Sequence, residues 1–111
     1  MEQIEISVVL YQEEDRWIAQ GLEFDITARG SSPVEASQRF FLKVGAELIM
    51  SLELGDETPL STLGTAPQKF WEMFQNAPMR VDTDEKPIRL TNSNVARVRP
   101  QMKISDYKKA A

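Results

Sequence analysis

The chain contains no cysteine and no histidine among its 111 residues. Without cysteine there are no disulfides, no thiol nucleophile and no thiolate metal site, which fits a reducing compartment. Without histidine there is no Ser-His or Cys-His arrangement, no histidine-ligated zinc and no histidine general base. The five glycines are scattered and form neither a phosphate-binding loop nor a dinucleotide fingerprint. No run of about 18 apolar residues exists, so no membrane span is expected. The first residues, MEQIEISVVLYQEED, are acidic where a secretory signal has a basic start, and a small-residue cleavage site is missing. Together these absences predict a cytoplasmic, non-enzymatic protein with no catalytic residue, no metal and no cofactor.

Carboxylates are the chemistry that remains. Glu13, Glu14 and Asp15 fall in a turn, where solvated polar residues are the rule. Glu23 and Asp25 flank Phe24 and share one face of a strand, but two oxygen ligands are too few for a divalent-ion site. Apolar content of 41% and charged content of 27% are those of an ordered globular chain, and the length favours one domain.

Residues 3–11 alternate well, with Ile4, Ile6, Val8 and Leu10 on one face and Glu5, Ser7, Val9 and Tyr11 on the other. Period two over this length predicts a strand. Residues 16–20 predict its hairpin partner and 24–29 a third strand, with Gly21 at a bulge or close backbone approach. Ser32, Pro33 and Glu35 then form a capping-box signature. The helix it opens runs over 33–54, with Phe41, Val44, Leu48 and Leu52 spaced by three and four, widened by Ala36, Phe40 and Ile49. Gly45 lies inside this helix, and Gly55 suits a left-handed stop after it. At roughly 33 Å the helix outruns three short strands. Its far end is therefore expected to pack on later residues or on another subunit.

The second part, 56–111, reads as a loop, a short helix over 69–76 with a capping box at Thr65 and Gln68, and strand candidates at 79–83, 88–92 and 95–99. Asp84–Pro87 reads as a turn, Pro100 as a strand end, and residues 101–105 as a further strand. The expected fold is thus α+β: an antiparallel three-stranded sheet packed by one long helix, with a β-rich C-terminal extension in the same domain.

Charge divides unevenly. Residues 1–78 carry 13 acids and 5 bases, and residues 79–111 carry 4 acids and 8 bases. Two readings follow: complementary surfaces within one fold or between subunits, or a basic tail that meets nucleic acid or an acidic partner. The candidate partner-binding residues are Trp71 and Phe74 on the aromatic helix and Arg89, Arg97 and Arg99 on the strands, with Arg80 and Lys103 extending the basic face. Trp71 and Phe74 fit either a core or an interface hot spot. A two-fold homodimer centred on the aromatic helix is expected from these features.

Residues 4–54 also resemble a known family. The strand, the hairpin Glu14-Asp15-Arg16-Trp17-Ile18-Ala19, the segment Thr27-Ala28-Arg29-Gly30 and the helix start Ser31-Ser32-Pro33-Val34-Glu35-Ala36 are together similar to the HicB family, antitoxin partners of the HicA toxins. Gly21-Leu22-Glu23-Phe24-Asp25 stands where that family has P-x-[LF]-P-G-[CV]. The resemblance implies an RNase H-like β-β-β-α-β unit without nuclease residues. It also implies a protein-interaction role toward a small RNA-cleaving toxin. Nucleic-acid binding by the basic C-terminal third is the alternative.

Overall fold

Alternation makes β1 (Glu2–Glu13) the strand on which the others assemble. The computed structural model describes residues 2–55, 60–91 and 94–109. A two-residue turn, with Glu14 at φ 57°, leads into β2 (Arg16–Gly21), antiparallel to β1 from Glu13↔Arg16 to Val8↔Gly21. β3 (Thr27–Gly30) pairs antiparallel with β2. It is shorter than predicted, because Phe24 and Asp25 belong to the connection: Ile26 N–H donates to Phe24 O and Asp25 N–H to Gly64 O.

Helix α1 (Pro33–Glu53) starts as its sequence requires. Ser32 Oγ accepts from Glu35 N–H at 3.1 Å. The Glu35 carboxylate reaches back to Ser31 N–H at 2.9 Å, one residue earlier than in a standard capping box. Gly55, at φ +74°, supplies the left-handed stop after the cap residue Leu54. The buried stripe is Ala36, Phe40, Val44, Leu48 and Ser51. Leu52, expected on that stripe, is exposed: steps of four drift around the helix, and after Ala36, Phe40, Val44 and Leu48 the buried row returns by a step of three to Ser51. The far end of the helix packs on later residues of the same chain: Leu60 is buried, and its N–H donates to Ser51 Oγ.

Helix α2 (Gln68–Asn76) begins one residue early and has no side-chain cap. Pro67 holds the cap position in place of the expected box at Thr65, and Pro67 O accepts from Phe70 N–H. Beyond it lie β4 (Met79–Val81), β5 (Lys86–Arg89) and β6 (Val95–Lys109). Pro87, predicted in a turn, sits in β5, an outer strand where a missing N–H costs no ladder bond. Pro100 does not end its strand. β5 pairs with residues 95–98 and β4 with 102–104, so Pro100 occupies the interruption between them and β6 runs on through it.

The fold is α+β, but its sheet is six-stranded and mixed, ordered β3-β2-β1-β6-β4 with β5 also on β6. The three N-terminal strands form an antiparallel group as expected. The correction concerns β6, which pairs parallel to β1 from Glu2↔Ala96 to Glu13↔Lys109, with a register shift between Leu10 and Gln12. The last strand therefore lies inside the sheet. Its Ala96, Val98 and Met102 are buried with Ile4, Ile6, Val8, Leu10 and the α1 stripe. Val9, Tyr11, Ile18 and Leu22 project to the opposite face, beneath α2.

Two glycines test this packing in opposite directions. A Cβ on Gly21 would stand 2.8 Å from Phe24 O and 3.0 Å from Phe40 Cζ, whereas one on Gly45 would meet Ile88 Cγ2 at an ordinary 3.6 Å. Gly21→Ala is expected to destabilise by about 1–3 kcal/mol, and Gly45→Ala to stabilise by about 0.5–1 kcal/mol. Chemical denaturation measures both. The hydrogen bond from Ser31 N–H, and then the Arg39 guanidinium, hold the Glu35 carboxyl below its ordinary pKa. Such a depressed group contributes stability above its unfolded pKa and loses it as pH falls through the lower folded value. Between neutral pH and about pH 3, the parent should thus lose more stability than Glu35→Gln.

Candidate functional site

The two faces of the sheet offer different surfaces. On the α2 side, Trp71 and Phe74 are half-buried and pack with Phe70 and Met73 over Val9, Tyr11, Ile18 and Leu22. Trp71 Nε1–H donates to Ala66 O at 3.1 Å, which ties the helix to the loop before it. Lys103 Nζ lies 4.5 Å from the Phe74 ring centroid, within cation–π range. The aromatic helix thus covers its own sheet.

The same face carries the bases beyond α2. Register places Arg97 opposite Pro87, Val95 opposite Arg89 and Lys103 opposite Arg80. Residues directly opposite share a face and alternate residues repeat it, so Arg80, Arg89, Arg97, Arg99 and Lys103 all project to one side. Glu85 pairs with Arg97 and Arg99, each at 3.4 Å, and Glu5 with Arg99 at 3.8 Å. These pairs are solvent-exposed and worth about 0–1 kcal/mol each. They absorb part of the charge imbalance within the chain. Glu85 was missed from sequence because it sits in the irregular stretch between β4 and β5, outside any periodic pattern.

The carboxylates Glu23 and Asp25 are occupied by the fold. Glu23 accepts from Ser7 N–H at 2.7 Å and Ser7 Oγ–H at 2.8 Å, and Asp25 accepts from Gln20 Nε2 at 2.8 Å. Among the described residues, no group of three or more Asp or Glu side chains could hold a metal ion. Among those residues, too, no helix is long and apolar enough to cross a membrane.

On the α1 side, a solvent-open groove of about 790 Å³ separates the first half of α1 from the outer strands. Its apolar walls include Leu10, Val34, Phe41, Val81, Met102 and Ile104. Val34 is 66% exposed at its rim. Lys86 Nζ stands 5.7 Å from the Phe41 ring, and Phe41 packs edge-on against Phe40. Thr83 Oγ1 in the same wall is buried with no hydrogen-bond partner among the described residues. Beside the groove runs β4, with Met79 58% exposed. The groove was not anticipated as a site. Its signal lay in α1, which carries more apolar residues than one buried stripe can use.

Compared with family models, curated proteins and solved structures, the chain finds no match.

Trp71→Ala removes both a packed indole and the hydrogen bond to Ala66, and is expected to destabilise the fold of the chain by about 2–3 kcal/mol. A lowered denaturation midpoint, compared with the parent at the same protein concentration, checks this. An unchanged midpoint would show that the helix is not anchored by Trp71.

Proposed function

We propose that this chain is a non-catalytic protein-binding module of HicB type, which receives an apolar segment of a partner protein in the groove between α1 and β4–β6. The groove carries this reading: exposed apolar walls of this size beside an outer strand suit protein recognition. β1, β2, β3 and α1 run in the β-β-β-α order implied by the resemblance, with α2, β4 and β5 intervening before the last strand, β6. By the same resemblance the partner is a small RNA-cleaving toxin, acting in the cytoplasm.

Capture from the native host tests the reading with parent and Val34→Glu, whose exposed site on the rim leaves the fold intact. The parent should retain a small RNA-cleaving protein encoded beside its gene, and Val34→Glu should bind it at least about tenfold more weakly. Equal binding by both variants, or no RNA-cleaving partner, contradicts the proposal.

A second reading rests on the five bases that share one sheet face. Nucleic acid bound there should dissociate steeply with rising salt, because phosphate contacts release counterions. A gel shift with duplex DNA, duplex RNA and single strands measures this, and absence of binding at low salt rejects it.

A further inference from the structure

We propose that a second copy of this chain docks antiparallel along the outer face of α1, on a two-fold axis at Ala46. Opposite the buried stripe, α1 exposes Leu42 at 74%, Met50 at 55% and Ile49 at 40%. Ala46, also exposed, lies between them.

The pattern of this face is self-complementary, as a two-fold contact requires. In an antiparallel pair about Ala46, residues equally far before and after it face each other. Leu42 then meets Met50 of the second copy, and Ala46 meets its own counterpart, where a small side chain permits close helix approach. Arg39 and Glu53 lie seven residues either side of Ala46, two turns or about 10.5 Å along the axis. Each therefore meets the opposite charge on the other copy, and two identical ion pairs bracket the apolar centre. A parallel pair would instead set Arg39 against Arg39 and Glu53 against Glu53. Charge thus selects the antiparallel arrangement.

Arg39 is already oriented within the chain. Its Nη1–H donates to Arg29 O at 3.2 Å, and Nη2 lies 3.5 Å from Glu35. A guanidinium has five N–H donors, so these contacts leave donors for Glu53 of the second copy. The contact is a single helix pair and belongs with small, weak interfaces. It adjoins the groove, whose lining includes Leu42, but the groove's rim residue Val34 lies about a third of a turn away from this stripe.

Sedimentation over a concentration series tests the proposal. The parent should shift from 12.6 kDa toward twice that mass as concentration rises, and Val34→Glu should behave the same way. Ala46→Arg should stay monomeric with an unchanged circular dichroism spectrum. Glu53→Arg should weaken association about tenfold, because one substitution removes both symmetric pairs. Combining it with Arg39→Glu should restore the parent affinity. The proposal is overturned by a parent that stays monomeric throughout, by a dimer that survives Ala46→Arg, or by a double variant weaker than Glu53→Arg alone.

Discussion

The parallel pairing of β1 with β6 is the constraint on which the rest of the structure depends. It joins residues about 95 positions apart, from Glu2↔Ala96 to Glu13↔Lys109. β1 thereby gains a neighbour on each side and becomes a central strand. Among the described residues β4 and β5 pair with β6 alone, so both outer strands depend on this one alignment. A parallel pair needs a long crossover and burial on both faces to be stable. Helices α1 and α2 supply that cover, α1 along one face and α2 over part of the other.

Incomplete cover leaves the surfaces with functional potential. On the α2 side, Val9, Tyr11, Ile18 and Leu22 are enclosed, while Arg97 and Arg99 lie beyond the helix and meet Glu85 and Glu5. On the α1 side, the helix stops short of filling the space above β4, and the groove opens there between Phe41 and Val81. The outer face of α1 remains apolar at Leu42 and Met50. One helix therefore serves three directions, with Phe40 in the core, Val34 on the groove and Leu42 toward solvent.

Local signals in the sequence were readable because they act over a few residues. Alternation placed β1, and Ser32 with Glu35 placed the start of α1 to the residue. Gly55 ended it as its left-handed backbone allows. Partner choice was not readable. Nothing in residues 95–109 announces a parallel neighbour, since alternation looks the same in parallel and antiparallel strands. Pro100 suggested an end because the gap between β5 and β4 that accommodates it exists only in three dimensions. The bases at 80, 89, 97, 99 and 103 were legible as a group, and register put them on one face. The groove was not legible, because its two walls are about 45 residues apart in sequence and neither is distinctive alone.

Native-state hydrogen exchange tests the central claim most directly, since it ranks segments by the free energy needed to open them. If the β1–β6 pairing organises the sheet, the amides of β1 and of residues 96–104 should fall together in the slowest class and open only with global unfolding. Protection confined to β1, β2, β3 and α1, with residues 96–104 exchanging rapidly, would contradict it and describe an N-terminal unit that stands without its last strand.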